Sequence, residues 1–270
     1  MIEVLQFEFM RNALFAGLLA SIACGIIGTL VVVNRIVFIS GGIAHAAYGG
    51  VGIAFYFGLA PLLGIGGFSL FIAAIMAAVT IRSRQRSDTV IGALWAFGMA
   101  LGVMLIDLTP GYNVDLMSYL FGSILTVPKS DLLLMLILDL VILATVVLFY
   151  KDFLAISFDE EFATAMGVPT RVLYFALLAM IALVVVMIVR VVGLILVIAL
   201  LSIPSYISEK YSESMRTMMI LSIIFSALFV MLGLWLSYSF NLTSGATIIM
   251  VAAAFFFLNP LFERLANKHG

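Results

Sequence analysis

Two ionisable side chains stand inside otherwise apolar runs, and chemistry could start there. His45 lies in Ile39-Ser-Gly-Gly-Ile-Ala-His45-Ala, and Asp139 in Leu136-Ile-Leu-Asp-Leu-Val-Ile. An ionisable group at membrane depth is costly, and it usually faces a bundle interior or a wet cavity. Imidazole is a ready ligand for divalent first-row metals, so His45 reads as a metal ligand. A satisfied interhelical hydrogen bond is the other reading of the same residue. Asp139 has no polar residue three or four positions away on its own helix. Its partner must come from another helix, or it carries a proton. A cation ligand, a proton site and a structural hydrogen bond all remain open for it.

Two further patterns position these groups. Gly42, Ala46, Gly50, Ala54 and Gly58 recur every four residues through the run that holds His45, and Gly41 and Gly49 flank His45 at the same interval. Small residues at this spacing make a flat helix stripe that lets another backbone come close. The second pattern is polar. Asp152, Asp159, Glu160 and Glu161 cluster in the longest polar stretch, from Asp152 to Arg171. Its core, Ser157 to Gly167, reads as one short helix. Ser157 would be the N-cap with Glu160 three residues on, and Gly167 with Pro169 would end it. A rigid acidic helix of this kind looks like a docking surface.

Composition says what solvent surrounds these elements. Of 270 residues, 65% are hydrophobic and 10% charged, and the mean hydropathy is +1.29. A soluble domain runs at about 25% charged. Most of this chain is therefore solvated by lipid, which excludes a cytosolic enzyme, a nucleic-acid binder and a disulfide scaffold. The single cysteine, Cys24, cannot form an intrachain disulfide. No Gly-x4-Gly-Lys-Ser/Thr run occurs, so the chain has no P-loop for ATP. Nor does it contain Gly-x-Ser-x-Gly, His-Glu-x-x-His or Cys-x-x-Cys. A membrane enzyme is a poor fit, whereas a pathway is easily built.

Spans of roughly 20 apolar residues predict an all-α polytopic protein with eight to nine transmembrane helices in one domain, residues 1–270. They run near Asn12–Val33, Val37–Gly58, Leu62–Ile81, Thr89–Ile106, Asp131–Tyr150, Val172–Val189, Val192–Ser208, Thr217–Ser237 and Gly245–Pro260. The first reads as an uncleaved span, because its flank carries Glu3 and Glu8 rather than a basic segment. Only Arg190 and its neighbours separate the sixth from the seventh, and merging them would move the C-terminus to the other side. With Arg82-Ser-Arg84-Gln-Arg86 inside, Arg35, Lys151, Arg171, Lys210, Arg216, Arg264 and Lys268 fall inside too, leaving only Arg11, Lys129 and Arg190 outside. Asp115 to Thr126 is too short to cross and reads as an outer or re-entrant piece. Pro204 predicts a kink in the seventh span.

Four segments together resemble the integral-membrane permeases of ATP-binding-cassette importers for zinc, manganese or iron. They are Ile39 to Ala46, Asp115 to Leu125, Phe158 to Val168, and Val192-Gly-Leu-Ile-Leu-Val-Ile-Ala-Leu-Leu-Ser-Ile-Pro204. The third is also similar to the broader importer pattern Glu-Ala-Ala-x3-Gly, here Glu161-Phe-Ala163-x3-Gly167. The resemblance implies a permease fold with residues 152–171 as a cytoplasmic coupling loop. Asp159, Glu160, Glu161, Ala163 and Gly167 would meet cytoplasmic ABC ATPase subunits. A second permease copy, normally identical, would complete the pathway, and an extracytoplasmic metal-binding protein would deliver the ion. The cargo it implies is a divalent metal ion, with no cofactor expected to be bound permanently. The expected location is the plasma membrane of a prokaryote. The sequence departs at Gly41, where many members carry an Asp one turn before the His. His45 then needs further ligands, with Asp139 or a backbone carbonyl as candidates. The rival reading is a stand-alone proton-coupled secondary transporter using Asp139 and His45.

Overall fold

The computed structural model of the protein describes residues 6–82, 87–110, 124 and 127–266. All of its regular structure among these residues is helical. In chain order the helices are α1 (Glu8–Val33), α2 (Val37–Tyr56), α3 (Pro61–Arg82), α4 (Ser87–Asp107), α5 (Lys129–Leu148), α6 (Tyr150–Phe158), α7 (Glu160–Ala165), α8 (Thr170–Val192), α9 (Leu194–Glu209), α10 (Met215–Phe240) and α11 (Ser244–Ala266). Among the described residues, seven are long and apolar enough to span a membrane, and Leu194–Glu209 and Ser244–Asn259 are shorter apolar helices. These nine coincide with the nine predicted spans. The outer piece expected between Asp115 and Thr126 lies outside the described residues, apart from the buried Ile124.

The insecure pair resolves into two helices. Gly193 is the one residue between α8 and α9, with φ +85° and ψ 167°. That conformation belongs to glycine, because a Cβ would clash with the backbone. The chain then doubles back. Tyr174, near the start of α8, lines the same cleft as Arg35. Tyr206, near the end of α9, lines a groove with Val32 and Val37, the residues flanking that same α1–α2 turn. Both outer ends of the pair therefore lie at one face, and α9 returns to it in 16 residues, a rise of about 24 Å. Pro204 is buried within α9, and the helix continues through it to Glu209.

The two faces of the bundle are separately marked. One gathers the turn at Arg35, the end of α3 at Ile81, the start of α4 at Asp88 and the α6–α7 junction around a cleft of about 550 Å³. Those are chain ends that the Lys/Arg distribution predicts on one side. At the other face, Lys129 Nζ pairs with a Glu8 carboxylate oxygen at 2.8 Å. Nearby, Asn12 Nδ2 donates to the Val127 carbonyl at 3.1 Å. Both contacts tie the start of α1 to the start of α5.

Packing follows from small residues, because lipid tails give apolar helices little reason to leave them. The helix α2 is sandwiched by α4 and α3. A Cβ on Gly50 would lie 2.5 Å from the Gly64 carbonyl oxygen and 2.6 Å from Ile65 Cα. Both are backbone atoms of α3, so nothing nearby can rotate away. Gly50→Ala should therefore push α2 from α3 and cost about 1–3 kcal/mol. Gly67→Ala on the same α3, where nothing lies within 4 Å, is the control. Thermal unfolding of the detergent-solubilised protein should show a lower midpoint for the first variant only.

The predicted stripe ends one position early. Gly58 lies beyond α2 at φ +65°, with no atom within 4 Å of a would-be Cβ. Leu59 N–H bonds the Ala54 carbonyl at 2.8 Å and Gly58 N–H the Phe55 carbonyl at 3.3 Å. Gly58 is thus the left-handed stop of the helix, not a packing residue.

Candidate functional site

Helices α2 and α4 run in parallel with a constant register. Gly42 abuts Ile91, Ala46 and Gly49 abut Gly98, and Gly52 abuts Gly102. That register brings His45 beside Trp95. Their rings are stacked, with centroids 4.1 Å apart and planes 8° apart. Trp95 Nε1 donates to Met99 Sδ at 3.0 Å, so that thioether is already engaged. His45 is half-buried near the middle of α2, and its Nδ1 is buried without a hydrogen-bond partner among the described residues. An imidazole so placed keeps its in-plane lone pair available, because stacking covers the ring face and not its edge.

Asp139 lies elsewhere. It belongs to the buried stripe Met135, Asp139, Ile142 and Val146 of α5, which packs against α1 and α8, whereas α2 packs against α4, α3, α8 and α9. Asp139 is 5% exposed, and neither carboxylate oxygen has a partner among the described residues. Its isolation agrees with the absence of polar residues around it in the sequence. Among the described residues, no group of three or more His, Cys, Asp or Glu side chains converges. The described residues thus present His45 and Asp139 as single groups on differently packed helices, not as one assembled ligand cage.

At the face bearing Arg35, the polar stretch forms two short helices instead of the single one expected. The N-cap of the second, α7, is Asp159 and not Ser157. Asp159 Oδ1 accepts from Phe162 N–H at 2.9 Å. Ser157 instead ends α6, where its hydroxyl donates to the Phe153 carbonyl at 2.8 Å and meets Asn34 Nδ2 at 3.0 Å. The reason is that Phe158 continues the first helix, so the break falls at extended Asp159, whose carboxylate then caps the second. Glu160 and Glu161 then occupy the first turn, where negative charge suits the helix end. Gly167, at φ +85°, closes α7. Val168 N–H bonds the Ala163 carbonyl and Gly167 N–H the Thr164 carbonyl, both at 3.0 Å, the two bonds of a Schellman stop.

Exposure sorts the residues expected to face an ATPase. Glu161 and Gly167 are exposed, but Ala163 is 1% exposed and packs inward. What points outward instead is apolar: Phe158, Phe162 and Met166, at 83%, 62% and 69% exposure. They recur every four residues on a polar element outside the predicted spans. Such a row marks a contact surface for a protein or a membrane.

The sequence profile of the ABC 3 transport family matches residues 6–263. The chain belongs to that family. In this family's terms it is the membrane-spanning permease of a metal ABC importer, and it is not the enzyme of the system. It is 54% identical over 264 residues to an uncharacterized membrane protein of Synechocystis sp., covering 98% of this chain and 94% of that one. It is 33% identical to the manganese transport system membrane protein MntC of Listeria monocytogenes, covering 99% and 94%. Among solved structures it resembles PsaBC from Streptococcus pneumoniae in complex with Fab. The TM-score is 0.86 at 35% identity, covering 95% of this chain and 93% of that one. The ABC 3 match extends over α1 to α10 and all but the last residues of α11.

Some residues of the ABC 3 chain's site escaped the reading of spacing. Gly98-x3-Gly102 on α4 is the same small-residue signal as the α2 stripe, and it receives α2 directly. Trp95 carried a signal too. An indole in mid-span, away from the interfacial belt where tryptophan concentrates, must find a partner for its N–H. The exposed apolar row needed the structure, because only tertiary packing says which face of α6–α7 is left uncovered.

Proposed function

We propose that this ABC 3 permease conducts a divalent first-row metal ion, with manganese the first cargo to test, and that a separate cytoplasmic ATPase drives it through α6–α7. The observation that carries the reading is the exposed row Phe158, Phe162 and Met166, which runs from the end of α6 across the capped α7, in a multi-pass chain that has no P-loop. A groove on the ATPase subunit would take these side chains, with Glu161 at the rim. The 33%-identical manganese system protein supports the choice of metal. In this reading two copies enclose the pathway and an external metal-binding protein loads it, in the plasma membrane of a prokaryote.

His45 is the ligand that this reading assigns first. It is half-buried near the middle of α2, and the stacked indole covers the face of its ring and leaves Nε2 as the nitrogen to offer. The second copy would supply a second imidazole, which answers the shortage left by Gly41. Asp139 is the second candidate ligand. It is sealed between helices here, so it could meet cargo only after α5 moves relative to α1. Asp139→Asn tests that role, with metal affinity expected to fall while the complex still co-elutes.

The test of the function is uptake of Mn²⁺ into vesicles holding the permease with its ATPase. Uptake should need ATP on the ATPase side and stop with a non-hydrolysable analogue. Uphill uptake by the permease alone on a proton or sodium gradient would overturn the reading and favour a secondary transporter.

A further inference from the structure

A metal-ligating imidazole is ordinarily oriented by a hydrogen bond from its second nitrogen to a carboxylate or carbonyl. His45 has no such bond among the described residues, and its Nδ1 is buried. What holds the ring is Trp95, stacked at 4.1 Å and 8°. The indole is itself held on two sides. Its N–H is taken by Met99 Sδ at 3.0 Å, and the Phe38 ring lies 6.2 Å away, tilted by 50°. Backbone approach between α2 and α4, through Ala46 and Gly98, makes the register rigid.

We propose that Trp95 is the positioning residue for His45: the indole face replaces the missing second hydrogen bond and sets the plane in which the imidazole offers its lone pair. Coordination happens in the plane of the ring and stacking happens perpendicular to it, so the two do not compete. The Met99 contact matters for a separate reason. It occupies the indole N–H, so that no unpaired donor is left to repel a cation arriving beside His45. This proposal rests on the reading of His45 as a ligand.

Two substitutions separate a positioning role from a packing role. Trp95→Phe keeps a ring face over His45, whereas Trp95→Leu keeps bulk without a ring. In the reconstituted complex, Trp95→Leu should raise the KM for Mn²⁺ uptake by roughly 10–100-fold, the usual loss when a ligand's orienting partner is removed. Trp95→Phe should recover most of that loss. Nucleotide-free Mn²⁺ binding to the solubilised complex, read from the EPR signal of the free ion, should weaken in parallel. In a His45→Ala background, Trp95→Leu should weaken binding no further.

If both Trp95 variants lower kcat with KM and Mn²⁺ binding unchanged, Trp95 only packs, and the proposal is wrong. It is equally wrong if Trp95→Leu weakens binding as much without His45 as with it. If His45→Ala itself leaves KM and binding unchanged, the ligand reading fails and takes this inference with it. If His45→Ala weakens binding and Trp95→Leu does not, only the positioning role falls.

Discussion

Phe162→Asp is expected to abolish substrate-dependent ATP hydrolysis by the assembled transporter, while the permease still reaches the membrane and keeps its unfolding midpoint. Phe162 is 62% exposed, on the turn of α7 that Asp159 caps and Gly167 closes. Its removal takes nothing from the protomer's own core. An aromatic anchor in a protein groove is worth about 2 kcal/mol or more, or roughly 30-fold in affinity. A buried carboxylate in its place adds a desolvation cost on top. Phe158→Asp should act in the same direction. Ala163→Leu should behave differently, because Ala163 faces inward at 1% exposure. It should lower stability before it touches coupling. The measurements are co-elution with the ATPase and Mn²⁺-stimulated phosphate release. A Phe162→Asp complex that elutes intact and hydrolyses ATP normally would remove α7 from the interface.

The second large effect concerns His45. His45→Ala should reduce Mn²⁺ uptake at low metal by ~10-fold at least, given that tetrahedral and octahedral first-row sites lose a full donor with each missing imidazole. The folded complex should persist, because His45 is only half-buried and contributes no hydrogen bond that is described. High external metal should restore part of the rate, as expected when a ligand is lost and the pathway is intact. Uptake unchanged at every metal concentration would take His45 off the pathway. Loss of the complex itself would instead make His45 a packing residue of the α2–α4 contact.

The difference between these two tests reflects how each site was legible. His45 stood out because one imidazole in an apolar run is conspicuous whatever surrounds it. The α7 surface was legible as a capped acidic helix, yet which of its side chains point outward was not. The motif-like Ala163 turned inward, and the apolar Phe158, Phe162 and Met166 turned out. Periodicity says that such residues share a face, but only the neighbouring helices say whether that face is covered. The cap moved from Ser157 to Asp159 for a related reason. Both residues can cap, and the choice depends on where α6 stops and on Asn34, which is far away in the chain and donates to the Ser157 hydroxyl oxygen.

The sequence by itself determined the solvent, the all-helical class and the gathering of basic residues at one set of span ends, but left eight or nine helices open; what it did determine is set by local quantities. Those are apolar length against bilayer thickness, backbone polar groups that must close on themselves in lipid, and the placement of Lys and Arg at span ends. The tertiary structure alone decided three further matters: Gly193 reverses the chain, Gly58 ends a helix and does not pack in one, and Trp95 stacks on His45 while Asp139 is walled off by other helices. Each of these depends on which backbones meet and in what register. In lipid that choice is made by close-packed small residues, through contacts between distant parts of the chain that no window of sequence contains.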